Sequence, residues 1–547
     1  MKKLPSAVTI PQPGGTPRDV WAYALISVLL APSAVWIALD HAVWPWDQAW
    51  YGEVSVDLWF FLGHSLRQWC TLMLTGLYMK PPGIAWIGQF FVPLGQAFGS
   101  IETGLLLSVL LTQFVMLLFI FKIGQQMKPD SKLVPAVGAV FTAGAQLFVG
   151  LSHQFFPEPL QALSVAWVFF VVVKSAQWPK PRIAVHLTGA LILAALAKAT
   201  TPLYVLMPAI YVGLVFLRKP KTSTFADEWR CVPSRLLMVA CALAALAGAL
   251  WYAYNLGHVW QHVRDSSSGE IALHYGFRAS MFRKLIVWTR LLYQSFLAPY
   301  LLWAILASVL MPVAIRAWPG AVRPKAAPGI RLLFLLSQFQ IVFLLLVFST
   351  NDTVDPRYMF ALLPNLAILF MGACALLPGR SVTTILIVLC GLQWAAVNYG
   401  TLSAGSRIAN RSQWLLQFDS SRSRFEEVVR IVQVTSTHPG RYNIVGVEVP
   451  WLNANSAAFF AAKNRLNTGV RCYYTSLGYA QQDLDAALKR IDEFQTQYFI
   501  TLDEAFQPAQ NFVNVVSLPV LRELKESTRF QVVPFSSENG VVVFKPV

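Results

Sequence analysis

Residues Trp21–Leu39 read WAYALISVLLAPSAVWIAL, nineteen positions without a charged side chain. At about 1.5 Å per helical residue, such a run matches the roughly 30 Å hydrocarbon core of a bilayer. It is too long for the apolar region of a signal peptide, and no small-residue cleavage site follows it. It therefore reads as a retained span. Pro32 is expected to bend this helix without ending it, since proline is tolerated inside membrane spans. Comparable apolar runs begin near Thr103, Leu133, Pro159, Ile183, Pro202, Leu236, Leu285, Leu332, Tyr358 and Val382, which makes about eleven spans. The eighth, Leu285–Arg316, is long enough for a short interfacial helix plus a span. No inverted repeat of the secondary-transporter kind is visible.

Composition agrees. The 547 residues are 56% hydrophobic and 13% charged, with mean hydropathy +0.51. A soluble protein carries about 25% charged residues. A secreted soluble enzyme, a nucleic-acid binder with a solvated basic face and a disordered chain are excluded. Six cysteines without repeated spacing, and no CxxC or Cys/His cluster, argue against a disulfide scaffold or a zinc site.

The net charge of +16 is distributed by face. Residues 1–20, 122–132, 174–182, 218–235, 316–331 and 377–382 hold 19 basic and 4 acidic residues. The opposite loops, up to residue 400, hold 9 and 10, and the tail from 401 holds 15 and 13. This asymmetry places the first set of loops and the amino terminus in the cytoplasm. With an odd number of spans, the tail lies outside. A multi-pass protein of the inner or plasma membrane is expected, embedded in membrane lipid and without a nucleic-acid partner.

Two regions interrupt the spans. Between Asp40 and Glu102 lies a first outer loop rich in tryptophan (Trp44, Trp46, Trp50, Trp59, Trp69 and Trp86). Segments such as VSVDLWFFLGHSLRQW read as helices lying in the interface. The second region is residues 401–547, where charge returns to a soluble value. Its order of strand NIVGVEV, helix Ser456–Arg465, strand RCYYTSL, helix Asp483–Phe494, strand QYFITL, helix Val516–Glu526, then FQVVPF and GVVVFKPV predicts an α/β domain. Its sheet should be mainly parallel with a final hairpin. The domains are thus 1–400 and 401–547, the second structural or acceptor-docking in role and lacking any nucleotide motif. Cys70 and Cys472 both fall on the outer side, with their pairing open.

Charges at membrane depth cost roughly 2.5–3.5 kcal/mol each on insertion scales, so their placement needs a reason. Here they gather on the outer side: Asp47 and Glu53, Lys80, Glu102, His153 and Glu158, Lys198, and Asp352, Asp355 and Arg357. Helix ends converging on one cavity are the usual build of a site within a bundle. Several have ordinary readings. Asp40 and Asp57 read as helix ends in water, and Glu102 as a charge favoured at a helix N-terminus. His153 reads as a hydrogen-bonded interfacial side chain, and Lys198 as snorkelling to the headgroups. His258, His262 and His274 fit no metal-ligand spacing. Asp47, Lys80, Glu158 and Arg357 sit in aromatic or proline-rich sequence, where a solvated charge gains little.

This set suits sugar transfer from a lipid phosphate. A carboxylate can take the proton of an acceptor hydroxyl as a sugar carbon is attacked. The departing phosphate is anionic and needs Arg and Lys, not a general acid.

The motifs carry a resemblance. D-x-x-W-Y (Asp47, Trp50, Tyr51) in an extended first outer loop resembles the GT-C glycosyltransferases, in particular the branch of protein mannosyltransferases and lipid A aminoarabinose transferases. KPPG (Lys80–Gly83) is similar to the Lys/His-Pro-Pro motif of that branch. HQFFPEP, with His153 and Glu158, resembles its acidic second outer loop, and DPRYMFALLP (Asp355–Pro364) its late Arg-Tyr motif. The order covers most of residues 20–400. The resemblance implies a GT-C-like helical membrane fold and a polyprenyl-phosphate-linked sugar donor. It also implies Asp47 as base, and Lys80 and Arg357 at the donor phosphate. On that reading Glu158 orients the acceptor or substitutes as base, Lys198 assists at the phosphate, and Trp50 and Tyr51 line the sugar pocket. His153 and Tyr358 join the substrate-binding set. The acceptor is an extracytoplasmic glycan, lipid or protein. Two departures stand out: Asp47 is followed by Gln48 where an acidic pair is common, and Pro82 by glycine where leucine is common. Some GT-C enzymes use a divalent ion and others do not, and no dense carboxylate cluster here indicates one. A lipid-linked oligosaccharide ligase or polymerase, a lipid or solute transporter, and a scaffold acting through its tail are the rival functions.

Overall fold

The computed structural model describes residues 17–218, 235–297, 328–376, 380–402, 415–416, 418–437, 439–478, 480–509 and 511–547. Among them, eight helices are long and apolar enough to cross a membrane: Val20–Leu39, Ile101–Met127, Lys180–Ala197, Thr201–Arg218, Met238–His274, Ile330–Thr350, Pro356–Leu376 and Arg380–Leu402. The span expected from Leu133 is broken. Leu133–Ala143 and Gln146–Ser152 meet at 65°, because the backbone turns extended at Ala145 (ψ 132°). The 17-residue Glu158–Lys174 helix is apolar all round and almost wholly buried, between Ile101–Met127 and Lys180–Ala197. A helix without a polar face belongs inside a bundle. The segment expected from Leu285 starts in a short helix, Met281–Leu291, whose Arg283 and Arg290 alternate with apolar residues. Beyond residue 297 it lies outside the described residues.

Helix α1 (Pro17–Leu39) runs through Pro32 without ending. After Pro45 the chain enters α2 (Trp46–His64). Ser65 then caps α3 (Leu66–Thr75), its side chain accepting from the Gln68 amide. α3 has the polar and apolar faces of an interfacial helix and buries none of its residues. α2 does not behave that way. It buries residues on all sides, because the C-terminal domain covers it.

That domain is the expected α/β unit. Its strands are β1 (Tyr442–Val445), β2 (Tyr473–Ser476), β3 (Tyr498–Leu502), β4 (Phe530–Val532) and β5 (Val541–Pro546), in the order β2-β1-β3-β5-β4. β1 is parallel to β2 and β3, and the β4–β5 pair closes the sheet antiparallel. Side chains alternate between faces, as strand geometry requires. Ile444, Phe499 and Phe544 pack with Ile491, Val520 and Leu521 on one side, and Val445, Ile500 and Val543 with Ile431 and Ala457 on the other. The Ser423–Thr435 helix is an addition to the elements expected from the sequence.

The Ala454–Thr468 helix lies directly on α2. Arg465 donates to Asp57, both buried. Lys463 Nζ is 2.5 Å from Glu102 Oε1. The Trp44 indole is stacked between Phe155 and Phe459. The Asp419 amide donates to Asp40 Oδ1 at 2.8 Å. These contacts correct the reading of Asp57 as a helix end in water: it is mid-helix and buried, and its charge is compensated from 408 residues away. Glu102 does lie in the first turn of its helix, as expected, and also binds the domain. Cys70 is a free, exposed thiol and does not pair with Cys472.

Candidate functional site

Asp47 and Glu158 each sit in the first turn of a helix, where the macrodipole favours a negative charge. Each has found a lysine. Lys80 Nζ lies 2.6 Å from Asp47 Oδ2, and Lys198 Nζ lies 2.9 Å from Glu158 Oε1. Arg357 pairs with Asp355, its Nε and Nη2 at 2.8 and 2.7 Å from Oδ2. The Asp355 side chain also accepts from the Arg357 amide, so the Asp-Pro-Arg turn clamps its own guanidinium.

Aromatic rings hold the cations in place. Lys80 lies over Trp50 (5.5 Å), Lys198 over Tyr358 (4.5 Å) and Arg357 over Phe156 (4.8 Å). Such contacts contribute about 0.5–2 kcal/mol each, depending on desolvation. Tyr78 links the Lys80 loop to both neighbours, its ring edge-on to Trp50 and to His258. The Tyr204 hydroxyl donates to the Tyr358 carbonyl, tying the Thr201–Arg218 helix to the Arg-Tyr segment.

The three pairs share one electrostatic environment. Burial alone would raise the Asp47 carboxyl. The charge and hydrogen bond of Lys80, then the charge of Arg357, hold it below its ordinary value. Burial and the charges of Asp47 and Glu158 push the Tyr51 phenol well up, so Tyr51 stays a hydrogen-bond donor. Accessibility separates the two carboxylates. The Asp47 side chain is 39% exposed and Lys80 17%, whereas Glu158 is 2% exposed behind Lys198 at 22%. Glu158 Oε2 has no hydrogen-bond partner.

Asp47, Trp50, Tyr51, Lys80, Glu158, Lys198, Arg357 and Tyr358, all singled out from sequence, therefore gather at one face of the bundle. Lys198 is paired there and does not snorkel. His153 is not part of the gathering. It is buried against α1, stacked on Trp36 at 4.0 Å with both ring nitrogens unpartnered. Asp355 and Tyr204 acquire roles that the sequence did not assign. Asp355 two positions before an arginine in a proline turn was a usable signal; nothing marked Tyr204. Among the described residues, no three His, Cys, Asp or Glu side chains are grouped so as to hold a metal ion.

A scan against protein-family models and a search of curated proteins return no match. Solved structures do match. The structure of ArnT from Cupriavidus metallidurans bound to undecaprenyl phosphate aligns over 96% of this chain and 98% of its own, with TM-score 0.54 and 13% identity. Its apo state aligns over 97% and 99%, with TM-score 0.52 and 14% identity. The arabinofuranosyltransferase AftD from Mycobacteria aligns over 97% of this chain and 40% of its own, with TM-score 0.54 and 11% identity. The chain shares the fold of these structures: a polytopic helical membrane protein with a small C-terminal α/β domain.

Proposed function

We propose that this chain is a membrane glycosyltransferase. It moves a sugar from a polyprenyl-phosphate donor to an extracytoplasmic glycan, lipid or protein by a single inverting displacement. The observation that carries the proposal is the Asp47–Lys80 pair, a solvent-reached carboxylate held against a cation, with Arg357 and Lys198 beside it. A likeness in fold to a structure holding undecaprenyl phosphate supports the donor class. The charge asymmetry of the loops supports an extracytoplasmic site.

In the reaction, Asp47 accepts the proton of the acceptor hydroxyl as its oxygen bonds to the anomeric carbon. The bond from that carbon to the phosphate oxygen breaks, and the electron pair leaves with the polyprenyl phosphate. Lys80 and Arg357 compensate the phosphate charge in the transition state, and Lys198 lies next to them. Arg357 presents a fork that Asp355 keeps oriented; such planar donors match phosphate oxygens. A donor phosphate that engages Lys80 loosens its hold on Asp47 and leaves the carboxylate free for the hydroxyl. Glu158, screened from solvent, orients Lys198. Trp50 and Tyr51 form the wall next to Asp47, where a sugar ring packs.

The test is mass spectrometry of membrane lipids from cells in which Asp47→Asn replaces the native gene. Accumulation of a polyprenyl-phosphate sugar is expected and gives the sugar by mass. An expressed mutant with a downstream defect and no such lipid would move oligosaccharide ligation or transport ahead.

A further inference from the structure

The residues on either side of Pro45 are both held by the C-terminal domain. The Ser456 hydroxyl donates to the Trp44 carbonyl at 2.7 Å, and the Trp44 ring stacks on Phe459 with centroids 5.2 Å apart. The Trp46 indole Nε1–H donates to Glu448 Oε2 at 3.0 Å. Trp46 has φ +34°, in the left-handed region that a residue with a Cβ enters only when its surroundings hold it there. The next residue is Asp47. The left-handed turn at Trp46 therefore sets the direction in which the Asp47 side chain leaves the backbone.

Glu448 is itself fixed. Its amide donates to Asn514 Oδ1 at 2.8 Å, and Asn514 Nδ2 donates to its carbonyl at 2.9 Å. The loop after β1 is thus a rigid bracket that presents one carboxylate to one indole. We propose that Glu448 is a positioning residue of the candidate site: through the Trp46 indole it holds the turn that aims Asp47 at Lys80, so that the C-terminal domain completes the site. The inference rests on Asp47 being the base. The other docking contacts, Arg465 to Asp57, Lys463 to Glu102 and Ser456 to Trp44, do not involve Glu448. Loss of its single hydrogen bond leaves the domain seated. Burial pushes the Glu448 carboxyl up to about 7, and the Trp46 bond acts against that rise.

The experiment uses the full chain with Glu448→Ala, Glu448→Gln, Trp46→Phe and Asp47→Asn. Trp46→Phe keeps an aromatic ring and removes the indole donor together with its five-membered ring. Sugar-lipid accumulation in cells reports transfer, and undecaprenyl phosphate binding to the purified protein reports the phosphate site. Glu448→Ala and Trp46→Phe are expected to lower transfer on the order of 10- to 100-fold, the effect of a small misplacement of a reacting group. Undecaprenyl phosphate binding should be unchanged. Glu448→Gln, which keeps a carbonyl oxygen for the indole, should restore transfer. If Asp47→Asn blocks transfer while Glu448→Ala and Trp46→Phe are neutral, the inference fails and the base assignment stands. If transfer, binding and thermal stability fall together in Glu448→Ala and Glu448→Gln does not restore them, the contact is only structural and the inference again fails. Normal transfer by Asp47→Asn removes the base assignment and this inference with it.

Discussion

A Cβ placed on Gly83 would come within 2.6 Å of the Leu196 carbonyl oxygen and 2.9 Å of its carbon. Gly83 closes the KPPG segment that carries Lys80, and Leu196 lies two residues before Lys198. The segments that carry the two lysines of the site therefore meet through a backbone approach that only glycine permits.

Gly83→Ala should push the Lys80 loop off the helix end, since backbone atoms cannot yield as a flexible side chain does. Overpacking of this kind costs about 1–3 kcal/mol. Weaker undecaprenyl phosphate binding, by on the order of 10-fold, is the expected outcome, with larger loss for Gly83→Leu. Unchanged binding in Gly83→Leu would show that the approach is not needed.

Removal of Lys80 should change how Asp47 titrates. Burial acts to raise this carboxyl, and Lys80 is the main influence that lowers it. In Lys80→Met the acid limb of the pH–rate profile should therefore move to higher pH. In the native protein Asp47 stays ionised down to below its ordinary value, and the limb lies correspondingly low. A limb that stays in place in Lys80→Met would mean that another group controls it.

The domain contact should weaken as pH rises. Burial pushes Asp40 up to about 6, and Glu53 and Glu448 up to about 7. In the folded chain these groups hold protons at pH values where the unfolded chain has released them. Their contribution to stability is fully present below about pH 4 and is lost as pH rises through 6 and 7. The thermal midpoint of the full chain should fall between about pH 4 and 7 and level off above that, and fall less in Glu448→Gln. Asp47 does not enter this window, because its shift is in the opposite direction.

The buried Arg465–Asp57 pair should be intolerant of single changes. Asp57→Ala strips the Arg465 guanidinium of its hydrogen-bonded partner under the Ala454–Thr468 helix, leaving only the more distant charge of Glu53, a loss of up to about 3–5 kcal/mol. Faster proteolysis within residues 440–470 of Asp57→Ala is expected. The double variant Asp57→Leu with Arg465→Met should recover most of the lost protection.

Much of the architecture was legible in the chain because its signals are local. Trp21–Leu39 announces a span by length alone, and the short apolar runs in YNIV and YFITL, set between helical segments, announce strands buried on both faces. The break at Ala145 was not legible, since a bent pair and a straight span have the same hydropathy. Asp57 was misread for a related reason. Its partner Arg465 lies 408 positions away, and no local signal distinguishes a buried, paired carboxylate from one in water.

The site divides in the same way. Residue type and order were enough to nominate Asp47, Lys80, Glu158 and Arg357, because charges in apolar, aromatic sequence need partners and the motifs that carry them recur in one order. His153, expected as a hydrogen-bonded interfacial side chain and drawn into the substrate-binding set by the resemblance alone, is instead stacked on Trp36 with neither ring nitrogen bonded. Local sequence determined the spans, the faces of the strands and which charges are expensive to bury. Which carboxylate meets which cation, that Glu158 is screened while Asp47 is reached by solvent, and that Glu448 grips Trp46 were decided by tertiary structure. Asp47 with Lys80, Glu158 with Lys198 and Glu448 with Trp46 join residues 33 to 402 positions apart, and they depend on how helices cross and how closely a glycine lets two backbones approach; only Asp355 with Arg357 is local.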